Sequence, residues 1–326
     1  MPVPITTGPV HIPLSDEERI SGILTPLHLY DAVDALRSDG VVILDNAVAV
    51  EVCDKLNERM TSDAKLMLTR NKDLKWGQGK GHGNLLVPPP LSQEFLFPDI
   101  YGNKAATSVI SHVIGPNPEV RFLLSNTSFP KEGVRQPVHK DGRHLHPTHP
   151  YCIAMNVNLI DVSPESGSTE LWLGTNNDSP PTDWIEPGVS HINPALLEPR
   201  RAIRPPLQPT VKKGGVVLRD LRLWHAGVPN PSDDIRVMIV LLHFAQLDEN
   251  RWFGNGEYIQ MPRSLQPAIE ATSARAGNKF ICQWVEDKNW NYLDSRFAQD
   301  FSSKVHPEFW EPYREASEAK LAKMNM

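Results

Sequence analysis

"GGVVLRDLRLWHAGVPNPSDDIRVMIVLLHF", residues 214–244, contains two apolar, β-branched runs separated by a polar turn rich in proline and aspartate. Runs of this kind, bounded by Gly, Pro, Asn and Asp, form strands. "VVLRDLRLWH" is predicted as one strand, "PNPSDD" as the turn and "IRVMIVLLHF" as the returning strand. With a register symmetric about residues 230 and 231, His225 stands opposite Arg236. Opposed residues share a face with Cβ atoms about 5 Å apart. The hairpin would then present an imidazole able to ligate a metal beside a guanidinium matched to a carboxylate.

Around this hairpin lie further runs of the same type: "EVRFLLSNTSF", "CIAMNVNLIDV" and "STELWLGT". Strands therefore predominate from about 118 to 248. Upstream, "LHLYDAVDALRSDG" reads as an amphipathic helix stopped by Gly40, "VVILDN" as a buried strand, and "AVEVCDKLNERMTSDAKLML" as a second helix. Residues 1–25 read as irregular, Thr69–Pro90 as a long glycine- and proline-rich loop, and "IYGNKAATSVISHVIG" as helical. A helical, aromatic-containing tail runs from about 262 to 326. Helices, then a β core, then helices predict a mostly β protein. Its core is expected to be an antiparallel double-sheet barrel with helices packed outside. No linker composition divides the chain, so a single domain spanning 1–326 is expected.

The composition excludes several classes. Of 326 residues, 40% are hydrophobic and 22% charged, which suits a protein with a sizeable core. The net charge of −6 is spread without a basic stripe, which argues against nucleic acid. Cys53, Cys152 and Cys282 form no paired framework, and a reducing compartment fits them. No secretory leader, bilayer-spanning run or terminal address is visible, so the cytoplasm is expected. The 30 prolines, clustered at positions such as 88–90 and 205–206, mark long loops between short elements.

A second stretch carries chemistry. "QPVHKDGRHLHPTH", residues 136–149, places four histidines and an aspartate within fourteen positions. In an extended segment, residues i and i+2 project to one side, so His139 and Asp141 present an imidazole and a carboxylate to a common point. A facial site for non-haem Fe(II) needs one further histidine and open coordination positions. His225 is the best candidate. The competing readings are a salt-bridged surface turn for His139 and Asp141, a core histidine for His225, and an ion-pair partner of Asp233 or Asp234 for Arg236.

The segments "QPVHKDGRHLHP", "SPESGSTELWLGTN" and "LRDLRLWHAGVPNPSDDIR" together resemble the phytanoyl-CoA dioxygenase-like branch of the Fe(II)/2-oxoglutarate oxygenases. The resemblance extends to the "ALRSDGVVILDNAV" helix–strand and spans roughly 28–248. It implies a double-stranded β-helix, or jelly-roll, core. It implies His139, Asp141 and His225 as iron ligands and Arg236 as the partner of the distal carboxylate of 2-oxoglutarate. It also implies Gln136 and Thr169 near that co-substrate, with O2 as the second co-substrate and a small or medium organic molecule as substrate. Asp141 argues against halogenation, because in the halogenating relatives chloride takes the place of that carboxylate. Two departures stand out. The family often has Ser or Thr two residues after the late histidine, where this chain has Gly227. Its "PGSH"-like loop is "LGTN" here.

The remaining candidates carry weaker expectations. Asp220 and Arg222 are expected to make polar contacts that support their strand, and Cys152 is expected in the core. His144 and His146 could form a competing metal site but, with His149, read better as a lip of the active site or a solvated turn. His82 and Asn84 lie in the long loop, a possible lid. Trp290, Phe309 and Trp310 offer surface for a homodimer.

Overall fold

The computed structural model describes residues 8–70, 84–141, 149–177, 183, 191–246 and 258–294. Two sheets face each other. The large one runs in the order β1 (Val10–Pro13), β2 (Val41–Asp45), β7 (Val216–Asp220), β5 (Cys152–Asn158), β9 (Arg236–Phe244), β4 (Glu119–Ser128) and β11 (Lys279–Phe280), with β3 (Asn84–Val87) also paired to β4. The pairs from β2 through β4 are antiparallel, while β1 and β11 add in parallel at the edges.

The small sheet is β6 (Glu170–Leu171) with β8 (His225–Ala226). It is extended by single antiparallel bridges that put His139 between His191 and His225, and Leu171 between His225 and Leu207. This is a jelly-roll sandwich, mostly β with flanking helices. Among the described residues the sheets do not close into the expected barrel.

Alternation along the strands divides the large sheet into two faces. Val216, Leu218, Ile153, Met155, Val157, Val237, Ile239 and Leu241 face the helices α2 (Pro26–Ser38), α3 (Val50–Arg70) and α5 (Lys104–Ile114), and one apolar cluster joins them. Each of these helices forms where expected. Thr25 caps α2 with Pro26 in its first turn, and the Asn103 side chain accepts from Ala106 N–H to start α5. The opposite face packs Cys152, Ala154, Met238, Val240 and Leu242 against Trp172 and Trp224 from the small-sheet side. Cys152 is thus a core residue, as expected.

Several expectations change. Residues 10–13 and 16–21 are not irregular: they form β1 and a short helix, α1, whose Ser15 and Glu18 make a reciprocal cap. Asn84 opens strand β3, so that end of the expected loop is sheet. After helix Gln266–Ala276, residues 279–285 are strands rather than a helical tail, and Cys282–Val285 pairs with Ile259–Pro262. Trp290 packs against the helix-side core. His82, His144, His146, Phe309 and Trp310 lie outside the described residues.

The "LGTN" departure has a physical reason. Asn176 and Asn177 donate their amides to the carbonyls of Arg37 and Ser38 at the end of α2. The adjoining Gly40 has φ +76°, and a Cβ there would stand 2.7 Å from the Asn176 side chain. This loop caps a helix.

Candidate metal centre and adjoining cavity

The predicted hairpin is not formed. Residues 221–224 leave the large sheet after β7 and cross to the small one, so "VVLRDLRLWH" is two strands joined by a turn. The returning strand β9 pairs with β4 and β5, and Arg236 stands opposite Ser128. His225 and Arg236 are therefore on different sheets.

His225 instead meets His139. Each donates its backbone N–H to the other's carbonyl, at 2.9 and 3.0 Å. Such a mutual pair brings side chains to the same face, and the two imidazole centroids are 4.2 Å apart. Asp141, two residues on, projects to the same side as His139, and its N–H is held by the Leu221 carbonyl at 3.1 Å. Lys140 between them points the other way. It is fully buried, with its amine 3.8 Å from Asp183. One potential ligand atom from each of His139, Asp141 and His225 lies within 4.8 Å of the others.

The carbonyls beside the two Nδ1 atoms suit a metal at Nε2. His139 Nδ1 lies 2.9 Å from the Pro137 carbonyl and His225 Nδ1 lies 3.0 Å from the Leu223 carbonyl. With Nδ1–H donating to a carbonyl, each ring keeps the Nε2 lone pair free. Nε2 of His225 is 3.3 Å, and that of His139 3.7 Å, from the Asp141 carboxylate. Burial, then the charge of His225, pushes the His139 imidazole down to about 3, so it is neutral at working pH. The Asp141 carboxyl is held well below its ordinary range. Burial opposes this, but His225 and Arg219 outweigh it. The imidazoles are buried, whereas the Asp141 side chain keeps 34% exposure.

Arg219, the ion-pair partner of Asp141, lines a cavity together with Asn156, Asn158, Thr169, Arg236 and Met238, among others; the triad itself does not line it. Arg236 is 4% exposed, and its Nε has no hydrogen-bond partner among the described residues. Burial lowers its guanidinium to about 10, which still leaves it charged. A buried, unneutralised cation facing a cavity fits an anionic ligand. Lys131 pairs with Asp233, and among the described residues Arg236 makes no ion pair with Asp233 or Asp234. Thr169 joins this lining.

Gln136 does something different. Its Oε1 accepts from Gly227 N–H at 2.8 Å, and a Cβ on Gly227 would come within 2.6 Å of that oxygen. A Ser or Thr at 227 would displace the Gln136 carboxamide from this position, so glycine here suits the Gln136 contact. Asp220 and Arg222 form a buried pair at 2.7 Å that rigidifies the crossing turn, as expected.

Sequence reasoning missed Arg219, which ion-pairs with Asp141 and brings Nη1 within 3.3 Å of His225 Nδ1. The only signal was a charge interrupting the apolar run "VVLRD". His191, bridged to His139, was also missed. The larger depressions, one around Arg19, Lys104 and Arg275 and another around His11 and Gln208, lie away from the triad.

Residues 36–238, which include the whole triad and Arg236, match the phytanoyl-CoA dioxygenase (PhyH) family. The chain belongs to this family. As a PhyH protein, it shares its fold with three solved proteins among others. The carbocyclase SnoK from nogalamycin biosynthesis is 19% identical, with a TM-score of 0.52 over 69% of this chain and 85% of that one. EctD from S. alaskensis, solved with 2-oxoglutarate and 5-hydroxyectoine, is 15% identical, with a TM-score of 0.53 over 75% and 81%. The epimerase SnoN, in complex with Fe3+, α-ketoglutarate and nogalamycin RO, is 18% identical, with a TM-score of 0.52 over 68% and 85%. No described helix of the PhyH chain is long and apolar enough to cross a membrane.

Proposed function

We propose that the protein is an Fe(II)/2-oxoglutarate-dependent dioxygenase that oxidises an unactivated C–H bond of a small or medium organic molecule. His139, His225 and Asp141 would hold the ion through two imidazole Nε2 atoms and one carboxylate oxygen, leaving positions open to other ligands. Together with 2-oxoglutarate and O2, the ion supplies an oxidant able to remove hydrogen from unactivated carbon, with succinate and CO2 as co-products.

The chain's own part is positioning and exclusion of water. Arg236 binds the distal carboxylate, and Thr169 completes that end of the cavity. Gln136 acts one step removed, by fixing the backbone just after His225. The wall of Trp172, Trp224, Val240 and Leu242 keeps the site dry. Hydroxylation, desaturation, epoxidation and ring formation are all open to such a centre. A role in secondary metabolism agrees with the nogalamycin enzymes among the similar folds.

The observation that carries this reading is the buried Arg236, its Nε unpartnered among the described residues, lining one cavity with Arg219, the ion-pair partner of Asp141. It favours 2-oxoglutarate over a metalloenzyme that has no diacid to bind. The test is succinate formation by Fe(II)-loaded protein supplied with 2-oxoglutarate and O2. Wild-type protein should release succinate and Arg236→Ala should not. Equal turnover in the two would overturn the co-substrate assignment.

A further inference from the structure

Arg219 has no place in the reading above, yet it stands where the metal centre meets the co-substrate cavity. We propose that it is a second positioning cation for the diacid, binding the carboxylate beside the keto group while Arg236 binds the far one. This rests on the proposed function.

Three observations support it. Arg219 is 5% exposed, and among the described residues the one carboxylate it meets is Asp141. It lines the same cavity as Arg236. The two arginines also enter that cavity from opposite ends. Arg219 shares a row with Ala154, which faces Leu242, and Arg236 lies six residues further along β9. That is roughly 20 Å of strand at about 3.3 Å per residue. Both side chains line the cavity that lies between these rows, which is where a short diacid would be held. The rows between them present Asn156, Asn158, Val217 and Met238.

Charge points the same way. A guanidinium carries five N–H donors in a fixed fork. One edge of Arg219 lies on Asp141. Once an ion shares the Asp141 charge, Arg219 becomes an under-neutralised buried cation at the metal end of the cavity. A second carboxylate there restores the balance. An arginine that served only to hold Asp141 would gain nothing from lining the cavity.

Shortened ligands separate the two arginines. Mn(II)-saturated, O2-free protein is titrated by calorimetry with 2-oxoglutarate and with pyruvate, a 2-oxo acid lacking the far carboxylate. Arg236→Leu should weaken 2-oxoglutarate roughly tenfold or more and leave pyruvate unchanged. Arg219→Leu should weaken both ligands by a similar factor, again roughly tenfold or more. Arg219→Gln, which keeps one amide donor for Asp141, should show the same pattern and serves if the leucine variant fails to fold or to take up Mn(II).

If the Arg219 variants bind both acids normally and lose only Mn(II) affinity, Arg219 merely holds Asp141 and the inference falls. It falls equally if they weaken 2-oxoglutarate but not pyruvate. If Arg236→Leu has no effect on 2-oxoglutarate, the proposed function fails instead.

Discussion

Strand β9 shows two opposite demands made on one chain. Val237, Ile239 and Leu241 face the helices and meet only hydrocarbon. Arg236, Met238 and Val240 face the small sheet, and there a buried guanidinium sits among apolar neighbours. Every residue of β9 is buried, so burial does not tell the faces apart. The difference lies in charge and in the cavity. On the helix side, the buried atoms without hydrogen-bond partners among the described residues, such as His243 Nδ1 and Tyr101 Oη, belong to uncharged groups within the apolar cluster. On the inner side, Arg236 Nε and Asn156 Oδ1 are buried without hydrogen-bond partners among the described residues. Buried polar atoms are costly when unmatched, and such atoms collected around a cavity mark a face built for a ligand.

The contrast is sharpest if the faces can be damaged separately. On the inner side, His225→Ala should lower Mn(II) affinity by roughly a hundredfold or more, abolish succinate formation and leave the melting temperature of the metal-free protein nearly unchanged. Equal metal uptake by calorimetry would remove His225 from the centre. On the helix side, Leu218→Ala deletes a fully buried side chain. Chemical denaturation should show a loss of about 2–5 kcal/mol, with metal affinity per folded molecule retained.

Gly227→Ala strikes the joint between the site and its support, because its Cβ collides with Gln136. It should cost about 1–3 kcal/mol. Gln136→Ala in the same chain should recover part of that loss. If the double variant is no better than the single one, the contact does not explain the glycine.

The smallest effect concerns pH. His243 lies on the helix side of β9, opposite Ile153 and Val120, and burial pushes its imidazole down to about 4. The unfolded chain then binds a proton that the folded chain refuses. The stability His243 contributes is complete above its unfolded value and declines as pH falls from about 6.5 toward 4. Between pH 8 and pH 5.5 the stability gap between wild type and His243→Gln should change by about 1 kcal/mol, to the disadvantage of wild type at the lower pH. A gap that stays constant would show that His243 does not titrate differently in the two states.

The site was legible in the sequence where chemistry depends on short spacing. His139-x-Asp141 works because alternate residues of an extended segment share a side, and that is a local rule. Helices α2, α3 and α5 and the strands around 119, 152, 216 and 236 were legible for the same reason, since their periodicity and stops are local. The partnership of His225 with Arg236 was expected from a hairpin that does not exist. They stand on opposite sheets, His225 in the metal-ligand group and Arg236 in the lining of the cavity that Arg219 also borders. Nothing in "LRLWH" reveals that the chain abandons one sheet at Leu221 and joins the other at His225. Arg219 and Arg222 look alike in the sequence as well. One ends on Asp141 at the metal centre, while the other pairs with its neighbour Asp220.

The sequence alone therefore picked out the three candidate ligands, the cation proposed for the far carboxylate and the alternation of the strands. These follow from residue chemistry and from backbone rules acting over a few positions. Only the tertiary structure decided that Arg219 faces the cavity, that Gln136 claims the space beside Gly227, and that the "LGTN" loop caps a helix. Each of these depends on which distant backbone lies alongside, and pairing between strands far apart in the chain is set by the packing of the whole core.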